Sequence, residues 1–440
     1  MSGGSVQEPE TEADINWDDV KQEMVHYLQR LLQIDTSSSR HRETVAAHYL
    51  RTVLTANGLP ATVREPISGK GSLICRLPGK VPNQALLLLS HLDVAPAGNV
   101  SAWRHLPFSG DRDSGEVWGR GAIDCKGLAV VWLMLVLLIR RKRIPLQRGL
   151  VFAATADEEA GGRWGVDWLL KSTDDFRECR YALNEGGGFS FHRKRGDVYT
   201  CQYAEKGHLV LDCQMKAEGS GNLCFNFPSR QLGPQNPDLM QPMLQALWRI
   251  HHLPRALESL FSCRGKLALL KRFSNLPLDY EALLNNIFEA ESLPPAEDGS
   301  CVLRLHIRML PGESGQEWQE KIFQLRLIDP QYLTDTRIVS CSEPSNSPLD
   351  TPLYRGIVSA MRGRGEQTIE LLPFITPGST DSGLLRKKGI SSYGFFPTPP
   401  ETDIRLIHRA NERISEDALL FALRRLHKIV TRFVTGGDFA

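Results

Sequence analysis

Paired cysteines are missing from this chain of 440 residues. Its nine cysteines are odd in number and form no Cys-x-x-Cys pair, which excludes a disulfide framework and a thiolate zinc site and fits a reduced, cytoplasmic protein. Net charge is nearly missing too. A formal balance of +1 serves neither a nucleic-acid partner nor an anionic membrane. Nor is there a long apolar run. The longest, Leu128–Ile139, falls short of the ~20 residues of a membrane span and reads as a buried helix stopped by Arg140–Arg143 and Pro145. Met1–Ser5 and the acidic stretch up to Asp18 hold no basic or apolar leader, so no signal peptide is expected. Internal repeats and low-complexity linkers are absent as well.

What is there describes an ordinary globular protein, 41% hydrophobic and 23% charged, long enough for two or three domains. Residues 1–15 are polar and expected to be disordered. Helical spacing begins at Trp17, a second helix is expected over Arg42–Asn57 with Gly58 as its cap, and strands over Ala61–Arg64 and Gly71–Leu77. A buried strand at Ala85–Leu89 precedes a long loop, His91–Arg120, anchored by Trp103, Pro107, Phe108 and Trp118. A helix over Leu128–Arg140 and strands at Gly149–Ala156 and Tyr181–Asn184 complete a mostly parallel α/β sheet flanked by helices, residues 16–206. Between 207 and 344 the character changes. Half-exposed alternation at Leu209–Met215 and Val302–Met309, with helices at Pro237–His252 and Gln316–Leu327, suits a small inserted α+β domain. Residues 345–440 then return to the first domain, with a helix at Thr351–Met361, a strand at Ser391–Phe396 and a closing helix at Ser415–Val434.

The chemistry gathers where the strands end. Ala85–Leu89 has no helical period, and its length favours a strand covered on both faces. It delivers His91 and Asp93 to the carboxyl edge, where open α/β sheets bind ligands. A metal-bound imidazole commonly gives its other ring proton to a carboxylate, a place Asp93 can take. Gly149–Ala156 runs into Asp157-Glu158-Glu159, and Tyr181–Asn184 into Glu185. Asp124 and His408 complete the set. Each of these alone reads equally as a polar loop or a solvated acidic turn. Together, imidazoles and carboxylates without thiolates suit zinc, cobalt or manganese, and two His with three acids exceed what one tetrahedral zinc uses. They suffice for two metals sharing one carboxylate.

These stretches resemble the co-catalytic dinuclear zinc peptidases and amidohydrolases, a family that includes aminoacylase, carboxypeptidase S, acetylornithine deacetylase, succinyl-diaminopimelate desuccinylase and carnosinase. The blocks that carry the resemblance are Ser90–Asp93, Trp103–Gly110, Gly119–Gly127, Asp157–Gly162, Asn184–Gly186, Thr380–Asp381 and His408–Glu412, in the family's order. Their wording is most similar to the carboxypeptidase S and N-acyl-amino-acid hydrolase branch. The resemblance implies a zinc-exopeptidase-like catalytic domain with the inserted domain as a lid, through which a homodimer would form. It gives His91 and Glu185 to one zinc, Glu159 and His408 to the other, and Asp124 to both. Cobalt or manganese would be substitutes. Asp93 would orient His91, Glu158 would be general base and then general acid, and the Asp124–Cys125 peptide would be cis. Arg308 would clamp the substrate's free carboxylate, and Gly378, Ser379 and Thr380 would lie near its backbone. A bland reading, an exposed strand arginine, stands beside the role of Arg308.

The chemistry also fits the residues by themselves. Water held between two divalent cations loses its proton near neutral pH, and Glu158 can take that proton and pass it to the leaving nitrogen. One family feature is missing. The lid histidine, expected to steady the oxyanion, has no counterpart in Glu218–Pro228: Gly221 or Cys224 stands at its position, depending on the end counted from, and His208 comes too early. Loss of one oxyanion donor typically costs ~3–4 kcal/mol of barrier, so Asn222 or Asn226 is a candidate replacement. The expected activity is hydrolysis of an amide or peptide bond in a small peptide or N-acyl amino acid by metal-bound hydroxide. The rivals are a metal-binding or regulatory homologue without turnover, and an aminopeptidase of reverse polarity.

Overall fold

Three parallel strand ends meet at one edge of the sheet and set the place of the site. The computed structural model describes residues 15–37, 40–193, 196–215, 240–250, 262, 265–266, 269, 283, 285–294, 301–324, 333–362 and 369–437. The disordered segment expected over residues 1–15 lies outside these but for Ile15, and so do Asn222 and Asn226. The architecture is mixed α/β, with a central sheet flanked by helices.

The chain divides into two compact units: Met1–Asp197 with Asp350–Ile369 and Phe395–Ala440, and Val198–Leu349 with Glu370–Gly394. In the first, the strand order is Ala61–Arg64, Ser72–Leu77, Arg148–Thr155, Val81–His91, Cys179–Asn184. The central strand Val81–His91 pairs in parallel with both neighbours, Leu88 opposite Phe152 on one side and Leu183 on the other. The outer strands add antiparallel pairings. From Ala85 onward the central strand is buried on both faces, as its unbroken apolar run requires.

Helix Lys126–Arg141 is buried from Lys126 to Ile139, and the Trp132 indole N–H donates to the Leu89 carbonyl, 2.8 Å away, on the central strand. The amphipathic helices Trp17–Leu32 and Glu416–Val434 pack against it. Asn16 caps the first by accepting the N–H groups of Asp18 and Asp19, and Ser415 caps the second. No helix among the described residues is long and apolar enough to cross a membrane.

In the second unit, Gly207–Met215 and Cys301–Met309 pair antiparallel, flanked by Ile287–Ser292 and Leu333–Ser342. One face of this four-stranded sheet carries the core of Leu211, Leu305, Ile307, Phe288, Trp318 and Ile322, the last two from helix Gly315–Gln324. The two outer strands escape the sequence pattern because their side chains are largely exposed. A further set in this unit joins Glu370–Thr376 in parallel, and Ser345–Asn346 antiparallel, to the strand ending at Glu205.

Candidate metal centre

Every side chain of the expected cluster comes from the first unit. Val81–His91 ends on His91, which pairs with Thr155, the last residue of the neighbouring strand. That neighbour continues into Glu158 and Glu159, and Cys179–Asn184 into Glu185. Asp124 lies at the N-terminal end of helix Lys126–Arg141, joined to Cys125 by a cis peptide. His408 follows a short turn, Ile404–Leu406, with a left-handed backbone at φ 60°.

The geometry centres on Asp124. Its Oδ1 lies 2.9 Å from His91 Nε2 and its Oδ2 2.9 Å from His408 Nε2. Glu185 Oε1 lies 3.6 Å from His91 Nε2, and Glu159 Oε1 lies 3.1 Å from His408 Nε2. Two groups of donor atoms therefore form, each within 4.8 Å: His91, Asp124, Cys125 and Glu185, and Asp124, Glu159 and His408. They share Asp124. Glu158 belongs to neither, with Oε2 at 4.0 Å from His91 Nε2.

Electrostatics follow from crowding acids in a buried place. Burial works against the ionised form of Asp124, but the two imidazoles bonded to it hold its carboxyl well below the usual range. Burial and the neighbouring Asp124 push Glu185 well up. Bonds to Asp124 and Glu159 raise His408 to about 10. Burial opposes the charged form of His91, yet its acidic surroundings outweigh that and raise it. Four carboxylates facing two imidazoles are a costly arrangement unless something cationic is shared among them. Hard oxygen donors with imidazole nitrogen suit zinc, cobalt or manganese, so the residues present fit a divalent cation pair.

Asp93 meets both the His91 ring and the turn that follows the neighbouring strand. The His91 ring meets the main-chain carbonyl of Asp93, Nδ1 to O at 2.8 Å, which leaves Nε2 toward the cluster. The Asp93 carboxylate is 3.7 Å from Nδ1 and instead accepts the N–H groups of Glu158 and Glu159, at 3.1 and 3.0 Å. It underpins the turn that carries both glutamates. Burial pushes its pKa up to about 6.

Three residues without an assigned role also stand at this site. Glu412 accepts the N–H groups of Ile123 and Asp124 and forms an ion pair with buried Arg120. The Arg120 guanidinium lies over the Trp103 ring. Cys125 Sγ accepts the His91 N–H at 3.1 Å, and burial pushes its thiol up, so it is a poor ligand in that form. The available signal was that all three lie inside the motif blocks.

The remaining expected residues belong to the second unit. Arg308 stands opposite His208 on one side and Ile287 on the other. Thr380 caps helix Asp381–Lys387 by accepting the Ser382 N–H, and its own N–H and hydroxyl donate to buried Glu205, both at 3.0 Å. Gly378 and Ser379 precede it in the same loop.

Chemically, the cluster is of the kind that holds hard divalent cations for hydrolysis. A model of peptidase family M20/M25/M40 matches residues 87–432, and the chain belongs to that family. Aminoacylase-1B of Rattus norvegicus is 24% identical over 406 residues, spanning 90% of this chain and 91% of the relative. The fold resembles the crystal structure of an M20 family metallo-carboxypeptidase from Sulfolobus solfataricus, with a TM-score of 0.64 at 14% identity, covering 93% and 98% of the two chains. It also resembles a dinuclear metal-binding M20 peptidase of Bacillus subtilis, with a TM-score of 0.59 at 11% identity, covering 95% and 99%. The protein is thus a hydrolase of amide or peptide bonds in a metal-dependent family.

Proposed function

We propose that this hydrolase cleaves an amide or peptide bond next to a residue with a free carboxylate, using two divalent cations and Glu158 as general base. The substrate class is a small peptide or N-acyl amino acid. The observation that carries the reading is Asp124, whose two oxygens face imidazoles from opposite parts of the chain, at 2.9 Å each. In this reading His91 and Glu185 hold one cation, Glu159 and His408 the other, and Asp124 touches both. Zinc is the proposed metal, with cobalt or manganese as substitutes.

When bound, such a pair of cations makes water more acidic and polarises the carbonyl under attack. Glu158 stands beside the proposed ligands without being one, and its carboxylate takes the proton of the attacking water. It then delivers that proton to the departing nitrogen, which cannot leave as an anion near neutral pH. Asp93 fixes the turn on which Glu158 stands and the ring orientation of His91. Arg308 is proposed to grip the free carboxylate, a task that suits a guanidinium fork. Gly378, Ser379 and Thr380 are proposed to contact the substrate backbone, and Asn222 to donate to the oxyanion in place of a histidine.

A second reading, a metal-binding homologue without turnover, is favoured by the lack of any histidine in Glu218–Pro228. The test is a panel of N-acyl amino acids and dipeptides assayed with added zinc or cobalt. Hydrolysis of members with a free carboxylate, lost when that carboxylate is amidated, supports the proposal. Binding without hydrolysis throughout selects the second reading.

A further inference from the structure

The turn that carries Glu158 and Glu159 begins on a residue whose backbone is unusual for anything but glycine. Asp157 has φ 71°, in the left-handed region that Asp and Asn tolerate better than other residues with side chains. Two contacts hold its side chain. Oδ2 accepts the Trp164 N–H at 3.0 Å, and Oδ1 lies 3.0 Å from Lys70 Nζ. Lys70 also meets Glu43 Oε1 at 2.8 Å. Lys70, Glu43 and Asp157 are all buried. One ammonium therefore joins helix Glu43–Ala56 and the loop before strand Ser72–Leu77 to the first residue of the turn.

Stability alone is a poor reason for such a trio. Taking three charges out of water is costly, and apolar residues of similar volume commonly do as well or better. Glu43 Oε2 has no hydrogen-bond partner, a further cost in a buried place. What the trio supplies is direction. Its hydrogen bonds admit only a narrow range of positions for Asp157, and thus for the peptide that follows.

Both glutamates take their place from that turn. The Glu159 carboxylate accepts the Ala95 N–H at 3.0 Å and lies 3.1 Å from His408, and Glu158 Oε2 lies 4.0 Å from His91 Nε2. Glu158 stands closer to the start of the turn, and its main chain is fixed by Asp93 from below and by Asp157 from behind. We propose that Lys70 is a positioning residue for the reaction: through Asp157 it aims the Glu158 carboxylate at the attacking water. This rests on the reading of Glu158 as general base. Lys70 itself touches no reacting atom.

The test uses full-length, zinc-loaded protein and an N-acetyl amino acid that the wild type hydrolyses. Lys70→Met keeps the aliphatic stem and removes the ammonium. The expected result is a kcat lower by about 10- to 100-fold, as misplacement of a catalytic group by a fraction of an ångström produces, with KM within about twofold and zinc content unchanged. An unchanged kcat per folded molecule, with only a lower melting temperature, would overturn the proposal. So would loss of zinc, which would make the role one of keeping the metal ligands. If Lys70→Met does not fold, Asp157 decides. Asp157→Asn tolerates the left-handed backbone and keeps an acceptor, so it should retain most of the rate that Asp157→Ala loses. Equal rates in the two variants overturn the proposal. Glu158→Gln in the same assay separates the two levels. If it keeps turnover, the reading of the base fails, whereas if it is inactive while Lys70→Met is fully active, only the positioning role fails.

Discussion

Glu412 holds Asp124 by its main chain. Its Oε1 accepts the Asp124 N–H at 3.2 Å and the Ile123 N–H at 2.9 Å, while Oε2 pairs with Arg120. The orientation of the carboxylate between the two imidazoles therefore depends on a residue 288 positions away in sequence.

Glu412→Ala removes both acceptors and leaves the Arg120 guanidinium buried without its partner. The expected cost is about 3–5 kcal/mol of folding stability, the usual result of breaking a buried pair on one side. Zinc affinity should fall roughly 10- to 100-fold, as it does when groups that orient ligands are lost. Urea unfolding and a competitive zinc titration measure the two effects. Unchanged zinc affinity in the folded variant would show that Asp124 does not need this support.

The Asp93 carboxylate makes a sharper distinction possible. Because it accepts two N–H groups of the turn and the His91 ring meets its carbonyl instead, Asp93→Asn should keep one acceptor and part of the rate. Asp93→Ala should lower kcat by about a hundredfold through displacement of the turn. Equal, complete inactivation of both would point instead to a charge acting on His91.

Acid sensitivity should come in part from His427. Its ring is buried in helix Glu416–Val434, edge-on to Trp17, with neither nitrogen hydrogen-bonded. Burial lowers its pKa from 6.5 to about 4. Between those values the unfolded chain binds the proton and the folded one does not, so stability falls as pH drops from about 6.5 to 4. The contribution lost between pH 7.5 and 4.5 is about 2–3 kcal/mol. Urea unfolding of wild type and His427→Leu at both pH values checks this: the acid-induced loss should shrink by that amount in the variant.

Metal removal should be visible without any substrate. A strong chelator should lower the melting temperature, and added zinc should restore it in a concentration-dependent way, since a ligand bound only by the folded state stabilises by mass action. No thermal response to zinc after chelation would contradict the donor set.

Much of the catalytic architecture was legible because it follows from strand ends. The run Ala85–Leu89, the run Gly149–Ala156 and the short Tyr181–Asn184 are apolar throughout or nearly so, and each is followed at once by site residues. What escaped detection had no such pattern. The strand Gly196–Glu205 is buried yet carries Thr200, Gln202 and Glu205, whose polar side chains hide it from a reading based on apolar runs. Glu205 is satisfied by Thr380 and Ser345, partners far along the chain. The strand Glu370–Thr376 has Pro373 at its middle, which argues against a strand by propensity. Lys70 stood in a polar stretch with nothing nearby to show its partners, and Glu412, though inside the block His408–Glu412, gave no sign that it reaches Ile123, Asp124 and Arg120. Contacts between distant segments are set by the fold as a whole, and a local pattern holds no record of them.

The most direct measurement is turnover and zinc content of Glu158→Gln, made side by side with the wild type. The substitution keeps the shape of the side chain but leaves an amide that cannot take up a proton. The account predicts a loss of roughly a hundred- to ten-thousand-fold in kcat with two zinc ions still bound per chain. Wild-type turnover in that variant, or one zinc where two are expected, would contradict it.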